Sequence, residues 1–227
     1  MQYVGLVLGV FAGNVAAHAA ELNPLRVYIA TIVLIVPALI GARLLFVASE
    51  WRYYRRNPHR IWSHADSGCR MYGAVPVMLL CSVPLLRALH LGFGAFWDVS
   101  VFTILVGMIF TRFGCLLNGC CSGRASKRWI GIYLPNHMGV WEKRIPSQML
   151  EVVCAIGLLV VAIAIRRQLP FPGALFLVMV LSYSVLRFGL EFLREREPNA
   201  TLLTVGHSAS AIAFIAAITV LAAGWPR

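Results

Sequence analysis

Charge is scarce in this sequence. Asp and Glu number nine and Lys and Arg 20 among 227 residues, so charged side chains make up 13% of the chain. A soluble domain needs roughly 25% to cover its surface, which excludes a soluble globular protein of this length. Low-complexity segments and clear internal repeats are also missing, which sets aside disordered tails and solenoid arrays. The longest polar stretches, Trp51–Cys69 and Cys120–Ser147, are too short to form a separate soluble domain. Zinc-type cysteine spacing is absent as well. Cys115, Cys120 and Cys121 follow C-x4-C-C rather than paired C-x2-C, with no matching His/Cys cluster nearby. We therefore expect no metal, and read these thiols as packing groups. A disulfide between two of them stays open if their turn is extracytoplasmic. Cys81 and Cys154 lie inside apolar runs and read as small buried side chains.

What is abundant is apolar. Hydrophobic residues are 59% of the chain, and the mean hydropathy is +0.77. About 20 consecutive apolar residues cross the hydrocarbon core as a helix. Seven such runs occur: Gln2–Ala17, Val27–Ala48, Tyr72–Leu91, Phe96–Asn118, Met149–Ile165, Pro172–Phe192 and Thr204–Gly224. The expected fold class is all-α, a polytopic membrane protein of about seven transmembrane helices, with residues 1–227 forming a single integral membrane domain. The first run is short and carries Asn14. It resembles a signal peptide but lacks the basic n-region of one, and we read it as a retained helix.

The formal net charge is +11. In a soluble protein that would suggest nucleic acid. Here the arginines gather at the ends of apolar runs, so anionic lipid headgroups are the better partner and no nucleic acid is expected. Most of these arginines read as ordinary interfacial anchors. Counting Lys and Arg by side gives ten in the loops 51–69, 120–147 and 195–203 against four on the opposite side. By the positive-inside rule alone, the N-terminus and the charged loops would be cytoplasmic.

Charges within spanning segments are costly and usually functional. Arg43 lies in the second run, Arg112 in the fourth, Glu151 at the start of the fifth, and Arg187 and Glu191 late in the sixth, followed by Arg194. Positions 187, 191 and 194 share one helical face, so Arg187 and Glu191 can pair within the membrane. Two readings are open. One is a structural ion pair that orders the helices. The other is an anion site, with Arg112, Arg187 and Arg194 converging on a phosphate whose oxygens match the guanidinium fork. After Arg112 the chain enters a turn rich in glycine and cysteine. Gly114, Gly119 and Gly123 permit close backbone approach to a ligand or a neighbouring helix, and Asn118 offers both donors and an acceptor there. His64, His137 and His207 are scattered and read as structural or solvated.

Taken together, these segments resemble the prolipoprotein diacylglyceryl transferase family, from about Gly41 to His207. Arg112–Gly123 is similar to the family pattern R-x-G-N-x-x-N-x-E-x-x-G. Pro146-Ser147-Gln148 followed by Glu151 resembles H-P-S-Q-x-x-E. Arg187, Glu191 and Arg194 resemble R-x-x-x-E-x-x-R. Gly41-Ala42-Arg43-Leu44 resembles the G-G-R-L/I turn, and Trp97-Asp98 stands where the family has an Asp before its fourth helix. This chain departs from the pattern at four places. Tyr72 stands where the family has a histidine at the start of its third helix. Cys115 and Cys120 replace the signature Asn and Glu, and Ile145 replaces the His of H-P-S-Q.

The resemblance implies a seven-helix bundle with side openings for lipid, in a bacterial inner (cytoplasmic) membrane, multi-pass. It implies transfer of the diacylglyceryl group of phosphatidylglycerol to the lipobox cysteine thiol of a lipoprotein signal peptide, with release of glycerol phosphate and without cofactor or metal. It places the N-terminus outside, the reverse of the charge count. On this reading Arg112 and Arg187 stabilise the leaving phosphate. Asn118 and Gln148 hold ester or glycerol oxygens, and Gly123 lets backbone approach the substrate. Glu151 and Glu191 orient the arginines, and Arg194 and Arg43 add contacts to the headgroup. Tyr72, with an unperturbed pKa near 10, is a poor base at neutral pH and reads as a hydrogen-bonding partner of the headgroup. Two alternatives remain: a transferase of the same fold with a glycan or small-molecule acceptor, or a non-catalytic lipid-binding protein.

Overall fold

A computed structural model of the chain describes residues 1–61, 73–119, 123–126, 131–135, 140–193 and 205–223. Tyr72, Cys120, Cys121, Arg194, His64 and His137 lie outside the described residues.

The seven apolar runs are seven helices: α1 (Gln2–Ala19), α2 (Pro24–Ser49), α4 (Ala74–Ala88), α5 (Phe93–Leu117), α6 (Ser147–Ile165), α7 (Ala174–Glu191) and α8 (Val205–Ala223). A four-residue turn of helix, α3 (Trp51–Tyr54), follows α2. Two short strands, β1 (Ile132–Pro135) and β2 (Trp141–Arg144), lie between α5 and α6. Five of the helices are long and apolar enough to cross a membrane; α1 and α4 are shorter apolar helices. The protein is thus a nearly all-α polytopic membrane protein, and its exposed apolar side chains, such as Leu39, Val153 and Ile212, face the lipid that their composition demands.

The third run expected from the sequence extends to Leu91, but α4 stops at Ala88. His90 takes a left-handed φ of 52°, and the Leu91 amide donates back to the Leu86 carbonyl at 2.9 Å. This is a Schellman-type stop, which an apolar run does not announce. At 15 residues α4 is about 22 Å long, short of the hydrocarbon thickness of about 30 Å.

The chain forms two compact units, residues 22–93 and residues 1–21 with 94–227. In the first unit, α2 is started by Asn23, whose side chain accepts from the Leu25 and Arg26 amides at 3.1 and 3.2 Å, with Pro24 at the first helical position. The helix packs against α4 where Gly41 meets Gly73, so closely that a Cβ on either would overlap the backbone oxygen of the other.

In the second unit, α1 lies antiparallel along α5. Gly5, Gly9 and Gly13, spaced four apart, meet Phe110, Gly107 and Thr103 in descending order. A Cβ on Gly9 would stand 2.7 Å from the Thr103 carbonyl oxygen. Small residues at this spacing let helix backbones approach in lipid, where dispersion rather than the hydrophobic effect drives association. Asp98 of α5 ties α5 to α7. Its carboxylate accepts from the Gly173 amide at 2.6 Å and the Phe176 amide at 2.9 Å, so α7 receives its N-terminal cap from another helix. Gly173 itself is left-handed, with φ 102°. α7 then packs against α6 on one side and more extensively against α8 on the other.

Candidate active site

The C-terminal ends of α5 and α7 meet the N-terminal ends of α6 and α8 at one end of the second unit. The ends differ electrostatically. A helix C-terminus carries partial negative charge and favours a cation; an N-terminus carries partial positive charge and favours an anion. Arg112 sits in the last turns of α5 and Arg187 in the last turns of α7. Glu151 sits in the second turn of α6. Glu191 is the last residue of α7, but its carboxyl group lies against Gly206 in the first turn of α8. A Cβ there would stand 2.6 Å from the Glu191 Cδ.

These four charged side chains form one network. One oxygen of Glu151, Oε2, pairs with Nε of Arg112. Its other oxygen, Oε1, lies 3.6 Å from Nη1 of Arg187. Nη2 of Arg187 is 2.6 Å from Oε2 of Glu191. Glu151 is therefore the shared anion of two arginines from two other helices. Glu151 and Arg187 are each 4% exposed, and burial on this scale requires each charge to be compensated. The pairing of Arg187 with Glu191 is the one the four-residue spacing predicts. The link from Glu151 to both arginines joins α5, α6 and α7, and no local spacing specifies it.

The neighbouring polar groups fall in three classes. Gln148, 1% exposed, and Ser147, also 1%, lie on the first turn of α6, with Glu151 one turn further along. Asn118 is exposed, in the turn that follows α5, and belongs to none of these ion pairs. Gly123 is a backbone crossing point. Its amide donates to the Ile145 carbonyl at 2.9 Å, and a Cβ there would stand 2.6 Å from the Leu193 oxygen and 2.8 Å from the Ile145 oxygen. The close approach its glycine permits here is to the protein's own chain.

Arg43, in the other unit, is 8% exposed. Its guanidinium donates to the carbonyls of Ile61 at 2.8 Å and Arg60 at 3.3 Å and lies over the rings of Phe46 and Tyr54 at 5.5 and 5.6 Å. Cys115 is half-buried on α5, while Cys120, Cys121, Tyr72 and Arg194 lie outside the described residues.

Three side chains hold structural contacts that their residue types and spacing did not specify. Arg144 read only as a loop cation, yet it is 3% exposed. It is held by Glu142 at 3.1 and 3.2 Å and donates to the Gly123 carbonyl at 3.3 Å. β1 and β2 pair antiparallel, and residues 123–126 add to the outer side of β2 through Ser126 to Lys143 at 2.8 Å and Ile145 to Arg124 at 3.1 Å. The Arg124 amide in turn donates to the Leu193 carbonyl at 3.0 Å, so this small sheet ties the end of α7 to the start of α6. Its direct adjacency to the Pro-Ser-Gln motif was the available signal. Asp98 entered only through the resemblance, although a lone acid near the start of an apolar run is itself a signal. His207 read as structural or solvated. It takes the structural form of that reading: it is 1% exposed and packs edge-on against Phe188 and Phe192, with centroids 4.8 and 4.5 Å apart.

The class that fold and site define is a polytopic helical membrane protein with a buried arginine–glutamate network at one end of its spanning helices. A model of the family described as prolipoprotein diacylglyceryl transferase matches residues 1–223. A relative in Dehalococcoides mccartyi, named phosphatidylglycerol–prolipoprotein diacylglyceryl transferase, is 30% identical over 186 residues, covering 81% of this chain and 71% of its own. Relatives of the same name in Geobacter sulfurreducens and Bacillus cereus are 27% and 26% identical. They cover 89% and 84% of this chain and 79% and 73% of their own. This chain belongs to the prolipoprotein diacylglyceryl transferase family.

Proposed function

We propose that this chain transfers the diacylglyceryl group of phosphatidylglycerol to the lipobox cysteine thiol of a prolipoprotein, releasing glycerol phosphate, as a multi-pass enzyme of a bacterial inner membrane. The observation that carries the reading is the pair of arginines, Arg112 and Arg187, gathered by one shared glutamate inside membrane-spanning helices. The names of the relatives supply the two substrates.

In this reaction the thiol gives up its proton to water or to the departing phosphate, sulfur bonds to the terminal glyceryl carbon, and the bond from that carbon to the phosphate oxygen breaks, its electron pair leaving with the phosphate. Negative charge then gathers on the departing phosphate. Preorganised cations in a water-poor site stabilise such charge without reorganising, and the planar forks of Arg112 and Arg187 match phosphate oxygens. Glu151 and Glu191 hold the forks in place before the lipid arrives. Gln148 and Asn118 hold ester or glycerol oxygens, Gly123 shapes the adjoining turn, and Arg194 adds positive charge for the headgroup. A thiol, with a free pKa of about 8.5, ionises far more readily than an alcohol and so asks less of a base.

The test is transfer in detergent from radiolabelled phosphatidylglycerol to a lipobox peptide. Label is expected on the peptide cysteine with the wild type and to be lost with Arg187→Ala. Label released from the lipid without reaching the peptide would assign a different acceptor. Lipid left intact would overturn the enzymatic reading.

A further inference from the structure

Glu191 has two neighbours of positive character. One is Arg187, a turn earlier on the same helix, at 2.6 Å. The other is the N-terminal end of α8. A Cβ added to Gly206 would lie 2.6 Å from the carboxyl carbon and 2.7 and 2.8 Å from its two oxygens. The first turn of a helix presents amides with no intrahelical partner and the positive pole of the helix dipole. The 19 residues of α8 make that pole fully developed. A carboxylate seated there is already partly compensated before its arginine is counted.

This turn is keyed to α7. His207 packs its ring edge-on against both Phe188 and Phe192, which themselves meet edge to face on α7 beside Glu191. The Ser210 hydroxyl donates to the Gly206 carbonyl at 2.8 Å, and α7 packs extensively along α8. The position of Gly206 against the carboxylate is thus set by the buried His207 ring beside it, which packs on Phe188 and Phe192 of α7.

Resting on the proposed transfer reaction, we propose that Gly206 and His207 are positioning residues for the arginine site. The first turn of α8 is the second counter-charge of Glu191. An anionic headgroup that engages Arg187 draws that guanidinium partly away from Glu191. Without α8, a buried carboxylate would then be left uncompensated, most of all when charge gathers on the departing phosphate and draws Arg187 furthest, so the cost falls on the transfer step. With α8 in place, Glu191 stays seated and Arg187 is shared between the carboxylate and the phosphate. His207 acts at a distance from the substrate, by fixing where α8 begins.

A suppressor experiment tests this. Gly206→Ala forces the Glu191 carboxylate away from α8 and is expected to lower kcat at least tenfold, with the KM for phosphatidylglycerol changed less than threefold. Glu191→Asp retracts the carboxylate by one methylene. The double variant Gly206→Ala/Glu191→Asp is expected to recover activity relative to Gly206→Ala alone. His207→Ala is expected to lose kcat in the same way, and His207→Phe, which keeps the ring packing, to regain most of it. Gly206→Ala with a kcat within twofold of wild type would overturn the proposal. So would a double variant no better than the worse single one, or a His207→Ala variant with unchanged kcat. Wild-type protein that transfers nothing would instead overturn the reaction. The coupling of positions 191 and 206 would then be read from their thermal unfolding midpoints, where additive shifts would sink the positioning role on its own.

Discussion

Glu151 is the residue whose removal the structure makes most costly, and the cost can be ordered in advance. Glu151→Gln preserves shape and removes one negative charge. The network then holds two arginines against Glu191 alone, where the intact site holds two of each sign. The side chain of Arg187 is 5% exposed and that of Arg112 14%, so neither cation gains much water in compensation. Breaking a buried pair by removing one partner costs about 3–5 kcal/mol. For a chain of this size that corresponds to a thermal midpoint lower by roughly 6–20 °C. Glu191→Gln should cost less, about 1–3 kcal/mol, because Arg187 retains Glu151. The double variant Glu151→Gln/Arg112→Gln returns the site to one charge of each sign and should recover part of the loss. The assay is thermal unfolding of purified protein in detergent, followed by intrinsic fluorescence. A Glu151→Gln variant within 1 kcal/mol of wild type would refute the reasoning. So would a double variant whose loss is the sum of the two single ones, since contacting charges must couple.

Asp98→Ala removes the cap that α5 supplies to α7 and should lower stability by about 1–2 kcal/mol; Asp98→Asn, which keeps an acceptor oxygen, should cost less, and equal melting midpoints for the two would count against the cap. Gly13→Val should separate α1 from α5 because its side chain meets Thr103. Detergent melting should fall, and a second change, Thr103→Gly, should recover part of it. Gly123→Ala should collide with the carbonyls of Leu193 and Ile145, loosening the small sheet that includes β1 and β2, and limited proteolysis within residues 123–145 should then be faster than in wild type.

Composition and run length are sufficient for the membrane class and for the number of apolar helices, because the requirement is local: about 20 apolar residues, whatever surrounds them. The pairing of Arg187 with Glu191 is local in the same sense, since residues four apart on a helix must face the same way. The motif resemblance pointed to the family and to the residues worth watching, and the chain's kinship with that family agrees with it. Other features depend on which helices lie side by side. Glu151 gathers Arg112 and Arg187 from 39 and 36 positions away in the chain, and only the packing of α6 beside α5 and α7 gives one carboxylate two arginines. Gly5, Gly9 and Gly13 are visibly spaced four apart, but the spacing does not name α5 as their partner. Gly123 looks like a ligand-approach glycine until the carbonyls of Leu193 and Ile145 are seen against it. His207 looks like a scattered histidine until α8 is docked on α7. The sequence by itself thus determined which segments enter lipid and which charges they must bring with them, because the free energy of moving each group out of water belongs to that group and its near neighbours. Tertiary structure alone decided which charge compensates which, because buried charges are stabilised by whatever lies within a few ångströms, and in this protein that is another helix.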